Sequence, residues 1–278
     1  MAAQRTSLAG RAGRGAVLTV ACVVALFPLY WMIRTAVSPQ DAVYFKGISF
    51  LPTRVTFDNF TRAWNDAHLA RAMALGAFVT LTILAIQLLT CVPAAYAFAK
   101  LQFRHRNVWY GLVLAALLIP IQATAIPTYI GVSRADLVDT PVALVLPFMT
   151  SAFGIFIIRQ YMVTIPDALL EAARMDGLSR LQTLLRVVVP LSKPAILTFS
   201  VFSVFAHWND YMWPLLVSRS PELRTPPLAL AVFQDAERGF DYGALTAGAT
   251  IVTIPVLVMF AFAKRRFIAG ISGGEVTG

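Results

Sequence analysis

Apolar residues collect in six runs, at about 15–36, 73–99, 108–131, 141–161, 195–217 and 243–263, and polar residues gather between them. Each run is close to the roughly 20 residues that a helix needs to cross a hydrocarbon core of about 30 Å. Neither a two-residue alternation nor a narrow amphipathic stripe organises them, so the pattern predicts helices apolar on most sides. The expected fold is an all-α polytopic membrane protein with six transmembrane helices and one transmembrane domain over residues 1–278. An even number of crossings puts both termini on the same side.

Composition agrees with that pattern. Of 278 residues, 58% are hydrophobic and 13% charged, and the mean hydropathy of +0.70 exceeds what a soluble domain carries. The net charge of +9 would suit a nucleic-acid partner in a soluble protein, but membrane proteins concentrate Lys and Arg on cytoplasmic loops for topological reasons. With the N-terminus inside, the inner segments hold Arg5, Arg11, Arg14, Lys100, Arg104, Arg106, Arg159, Arg174, Arg180, Arg186, Lys193, Lys264, Arg265 and Arg266. Only Asp167, Glu171, Asp176 and Glu275 oppose them there, so both termini are assigned to the cytoplasm of a bacterial inner membrane, with no nucleic acid as partner. The first run follows Arg5, Arg11 and Arg14 but is too long for a signal-peptide core and has no clear cleavage site, so it reads as a retained anchor. Cys22 and Cys91 fall inside apolar runs without metal-like spacing.

Prolines at 28, 93, 120, 127, 147, 214 and 255 lie inside the runs. Each removes a backbone donor and tends to kink a helix. Lipid tolerates such breaks where neighbours or a wet cavity satisfy the freed carbonyls, although proline is also simply commoner in membrane helices. Two connections are longer than turns: an outer segment at 38–71, rich in aromatics and read as a small periplasmic cap or interfacial helix, and an inner segment at 163–194.

The inner segment, IPDALLEAARMDGLSRLQTLLRVVVPLSKP, predicts two short helices. Asp167 is placed as the N-cap of the first, Gly177 as its left-handed end, and Ser179 with Gln182 as a capping box opening the second. Pro190 and Pro194 are expected to stop it. Leu181, Leu184, Leu185 and Val188 follow i, i+3, i+4, i+7 spacing, which assigns that face to the membrane bundle. The first helix is left facing outward with Glu171, Ala172 and Ala173, either as a docking surface or as a connector at the headgroups.

EAARMDG followed by VVVPLSKP, between the fourth and fifth runs, resembles the coupling loop of binding-protein-dependent ABC transporter permeases. FLPTRVTFDNF, PAAYAFAKLQF, IPIQATAIPTY, LVDTPVALVLP and WNDYMWPL extend the resemblance over nearly the whole chain, toward the maltose-type carbohydrate importers. The resemblance implies the type I importer permease fold. It also implies that Glu171, Ala172, Ala173, Asp176 and Gly177 meet a groove of a separate ATPase, and that the glycine-rich tail at 264–278, with Gly270, Gly273 and Gly274, reaches between two ATPase subunits. Implied partners are a second permease subunit, the ATPase dimer and an extracytoplasmic solute-binding protein or lipoprotein, all working at the lipid bilayer. This chain departs from the family at Leu75 and Gly76, where Asn and Ser are usual, at Leu178 in place of a smaller residue, and at Glu275 and Thr277 in the tail.

His207, Trp208, Asn209 and Asp210 lie within the fifth run, where an ionisable group is costly unless it faces water or the bundle interior. Asn209 and Asp210 suit sugar hydroxyls and Trp208 can stack on a sugar ring; an interfacial belt and a bond holding the Pro214 break are the structural alternatives. Gln87, Gln122 and Thr124 read more readily as helix-to-helix bonds, with Gln122, between Pro120 and Pro127, keeping a place beside a cavity. No phosphate-binding glycine loop ending in Gly-Lys-Ser/Thr is present. The chain is therefore expected to be a transport subunit rather than an enzyme, with no metal and no cofactor of its own, ATP and magnesium residing on the partner. Glycerol-phosphate or polyol cargo fits the resemblance too, and a secondary transporter using Asp210 as its coupling group is the alternative from another class.

Overall fold

The computed structural model describes residues 8–43, 49–235 and 239–272. Its elements run α1 Leu8–Ala36, α2 Gln40–Val43, α3 Asp58–Asp66, α4 Leu69–Lys100, α5 Arg106–Ala116, α6 Ile121–Arg134, α7 Pro141–Val145, α8 Ala152–Val163 and α9 Asp167–Met175. There follow α10 Arg180–Thr183, α11 Val189–Leu191, α12 Lys193–Trp208, α13 Met212–Val217, α14 Pro226–Ala229, strands β1 Gln234–Asp235 and β2 Gly239–Phe240, and α15 Tyr242–Ser272.

Among the described residues three single helices are long and apolar enough to span a bilayer: Gly13–Ala36, Leu69–Lys100 and Tyr242–Phe262. Three further crossings arise only when bent pairs count as one: α5 with α6 at 97°, Pro141–Phe148 with α8 at 43°, and Arg180–Leu191 with α12 at 78°. The run at 108–131 is thus two helices, and the run at 195–217 is interrupted at Asn209–Tyr211. Proline explains only some of this. Pro120 marks the 97° break, whereas Pro28, Pro93 and Pro255 lie within continuous helices.

The chain divides into two compact units. The first contains α1 to α3, the β1–β2 ribbon and the start of α15. Asn59, buried on α3, donates to the carbonyls of Ala36 (2.8 Å) and Ser38 (2.7 Å), satisfying backbone acceptors where α1 ends. Arg62 one turn on bonds Asn59 and pairs with Asp241, and Asp241 accepts from the Ala244 amide at 3.0 Å, capping α15. The segment at 38–71 therefore contains α2 and α3, with α3 tied to two long helices.

The second unit contains α4 to α14 and two apolar cores. One gathers Cys91, Ala95 and Tyr96 of α4, Ile158 and Met162 of α8, Leu170 of α9, Leu184, Val188 and Phe199. The other gathers Val79 and Ile83 of α4, Val132 of α6, Ala143 and Leu144 of α7, and Trp213 and Val217 of α13. Large apolar side chains on the outer faces, such as Leu89 and Leu118, remain exposed, as suits a surface turned to lipid.

Candidate functional site

Two places carry polar chemistry that the bundle alone does not require. The first is the 163–194 segment. Helix α9 ends in a Schellman motif: Gly177, at φ +76°, donates to Arg174 O and Leu178 donates to Ala173 O, both at 3.0 Å. A side chain at position 177 would strain that left-handed turn. The Ser179–Gln182 capping box forms with both of its bonds. Asp167, however, is not the N-cap. Pro166 takes that position, and the Asp167 carboxylate turns instead to Lys100 Nζ at 2.7 Å.

That lysine was not singled out in the sequence. It ends α4, its side chain is 6% exposed, and besides Asp167 it donates to Ile165 O at 2.5 Å and Val163 O at 3.4 Å. One ammonium thus closes the C-terminal carbonyls after α8 and fixes the first residue of α9. Its bond and charge hold the Asp167 carboxyl below its ordinary pKa.

Successive residues of a helix point about 100° apart, so the two alanines of α9 cannot share a face. Ala173 is buried with Leu170, while Glu171, Ala172, Asp176 and Gly177 are exposed. In the second short helix Leu184 and Val188 are buried, but Leu181 and Leu185 are 64% and 57% exposed. A π turn at Leu184–Val188 shifts the register that the α spacing assumed, and the buried stripe lies toward Thr183. The widened turn also lets the helix run on through Pro190 to Leu191 instead of stopping there.

The second place is a cavity of about 660 Å³ inside the second unit, walled by α4, α6, α8, α12, α13 and the 147–151 link. Of the four residues singled out for a pathway, Gln122 and Asp210 line it. Trp208 does not: it is buried on the side of Gly76 and Pro226. Asn209 is exposed and bonds Phe205 O at 2.8 Å. Asp210 accepts from the Trp213 amide at 3.3 Å, which starts α13 after the break. Gln87 donates to Phe148 O at 2.9 Å and lies 3.3 Å from His207 Nε2, and Ser203 donates to Gln87 Oε1 at 2.7 Å. Gln87 thus bonds other elements while lining the cavity, and His207, its ring centroid 4.8 Å from that of Phe148 at a tilt of 56°, lines it too although it was not among the pathway candidates. The available signal was that both are polar residues at membrane depth.

Near the loop after α13, Asp139 Oδ1 accepts from the amides of Arg219 (2.8 Å) and Ser220 (2.9 Å) and from the Ser220 hydroxyl (3.0 Å). These donors, the Ser220 amide first, lower its pKa. Gly270 lies in the last turns of α15; Gly273, Gly274, Glu275 and Thr277 fall outside the described residues.

The family of binding-protein-dependent transport system inner membrane components matches residues 91–271, well over half the chain. The chain belongs to that family. It is an integral membrane permease subunit of an ABC importer. This permease is 31% identical over 258 residues, 92% of each chain, to the arabinooligosaccharides transport system permease protein AraQ of Halalkalibacterium halodurans. It is 29% identical over 276 residues to the diacetylchitobiose uptake system permease protein DasC of Streptomyces coelicolor, covering 99% of this permease and 100% of that one. A chain of a solved bacterial ABC transporter involved in the import of the acidic polysaccharide alginate superposes with a TM-score of 0.83 at 25% identity, covering 96% of this permease and 99% of that chain.

Proposed function

We propose that this permease forms half of the translocation pathway for a carbohydrate or related hydroxylated solute, driven by a separate ATP-binding-cassette ATPase dimer that grips α9 from the cytoplasm. A second permease subunit supplies the other half, and an extracytoplasmic solute-binding protein delivers the cargo. Both termini are cytoplasmic, on the positive-inside distribution of Lys and Arg. The similarity to AraQ and DasC, named for arabinooligosaccharides and diacetylchitobiose, supports the carbohydrate class.

The observation that carries the reading is the construction of α9. Its inner face, Leu170 and Ala173, is sealed into the bundle core, its ends are fixed by Lys100 and by the Gly177 turn, and Glu171, Ala172 and Asp176 are left outside with little to bond. Such a helix moves with the bundle as a rigid piece and offers a small-residue face and carboxylates to a basic groove. ATP-driven closure of the ATPase then tilts α9, and the crossings attached to it open the cavity alternately to either side.

The test is the double variant Glu171→Ala/Gly177→Val in the assembly purified through a tag on this chain and reconstituted in liposomes. Normal membrane insertion with ATP hydrolysis no longer coupled to uptake is expected. Uptake at the original rate would remove α9 from the coupling route.

A further inference from the structure

The hydrogen bonds around Gln87 fix the protonation of its neighbour. A backbone carbonyl can only accept, so the Gln87 atom 2.9 Å from Phe148 O must be the amide nitrogen. Its second hydrogen then points to His207 Nε2, 3.3 Å away, while Gln87 Oε1 is taken by the Ser203 hydroxyl. His207 Nε2 is therefore an acceptor, and the ring proton sits on Nδ1. An imidazolium, a donor at both nitrogens, would oppose the Gln87 amide. Among the described residues nothing accepts from Nδ1–H, and the ring lines the cavity.

Three residues on, in the break between α12 and α13, the Asp210 carboxyl accepts from the Trp213 and Met212 amides and, having room for about four such bonds, keeps acceptor positions beside the same cavity. Phe202, Phe205 and Trp213 complete an apolar wall, the Trp213 indole N–H being already used on Ala143 O at 2.9 Å. A free donor and a free acceptor on an aromatic wall match neighbouring hydroxyls of a sugar ring, and the volume falls in the range of about 300–1,000 Å³ common for small-molecule sites. An anion finds no cationic side chain there. None of the described residues lining the cavity is Lys or Arg; of the helix starts in its wall, α8 is capped by Ser151 and α13 is met by Asp210, whereas α6 starts after Pro120 without a side-chain cap. Stripping water from a phosphate or carboxylate without a cation to meet it is strongly unfavourable.

We propose that this cavity is a contact site for a neutral polyhydroxylated solute, gripped through adjacent hydroxyls by His207 Nδ1–H and the Asp210 carboxyl, and that it turns away phosphorylated and carboxylated analogues. The proposal rests on the permease reading above and narrows its substrate class away from acidic cargo such as alginate.

Saturation-transfer NMR on the tagged assembly in lipid nanodiscs, without binding protein, tests it with two matched pairs: glucose against glucose 6-phosphate, and maltose against maltobionate. Transfer is expected to the neutral member of each pair, with the anionic member at least about tenfold weaker. His207→Phe, which keeps the ring against Phe148, and Asp210→Asn, which keeps an oxygen for the Trp213 amide, should each weaken the neutral probes by about two- to tenfold, the effect of one hydrogen bond. Equal transfer within a pair, no transfer to any probe, or signals unmoved by both variants would overturn the assignment. Retention of the ATPase and of its hydrolysis in the same preparation tests the permease reading separately, so that either can fail alone.

Discussion

Placing a serine at position 76, the residue that the family resemblance leads one to expect there, should damage this protein. Gly76 lies on α4, and a Cβ built there would fall 2.5 Å from Pro226 Cδ and 2.7 Å from Cγ, with Trp208 at 3.6 Å behind. Pro226 heads α14, is fully buried and is a ring without a flexible end to swing aside. Overfilling such a contact costs about 1–3 kcal/mol. Replacing a mid-helix glycine returns part of that, roughly 0.5 kcal/mol for serine on the propensity scale. The packing penalty is the larger, so Gly76→Ser should destabilise by about 0.5–2.5 kcal/mol. At about 2–4 °C per kcal/mol, Tm in detergent, followed by a thiol-reactive or tryptophan signal, should fall by roughly 1–10 °C. The double-mutant cycle decides the cause: with Pro226→Ala already in place, Gly76→Ser should cost nothing or raise Tm slightly. The same loss in both backgrounds, or a gain in the wild type, would refute the contact as the reason for glycine.

Two other outcomes follow from the ionic ties. Lys100→Met removes the donor to Val163 O, Ile165 O and Asp167, so amide exchange across 167–175 should quicken several-fold while α4 above it stays protected; unchanged exchange would mean that α9 is held by Leu170 and Ala173 alone. Asp139 has its folded pKa lowered by the Ser220 and Arg219 amides, so its stabilising effect is complete above the ordinary carboxylate value and is lost as pH falls through the lowered one. The Tm gap between wild type and Asp139→Asn should therefore be constant from neutral pH to about 5 and close below about 4, and a gap independent of pH would contradict it.

Hydropathy located the three long apolar helices, and the three bent pairs, because lipid demands a run of apolar residues whatever the packing. It could not locate the bends. The sharpest lies beside Pro120, yet Pro93 sits in an unbroken helix of 32 residues, since a proline costs a helix one bond and only surrounding contacts decide whether the axis turns. The break in the fifth run falls at Asn209–Tyr211, ahead of Pro214, where Asp210 starts a new helix. In the 163–194 segment, Gly177 and the Ser179–Gln182 box were legible because caps are local chemistry. The exposed Leu181 and Leu185 were not, because a π turn changes the period from which faces are counted. Around the cavity, Asp210 and Gln122 could be singled out as polar residues among apolar ones, but Trp208 was misplaced. Which side of a helix meets a hollow depends on neighbours such as Pro226 that come from a distant stretch of chain.

Lys100 joins places far apart in sequence, the foot of one long crossing and the start of the outward-facing short helix. A pull on that short helix consequently reaches three crossings at once: the fourth and the fifth along the covalent backbone, and the second through a single ammonium group. The backbone linkages cannot slip. The ammonium linkage is loosened by one proton on Asp167 and lost with one substitution of Lys100, so this is the joint at which transmission of force could be weakened while every crossing stays where it is.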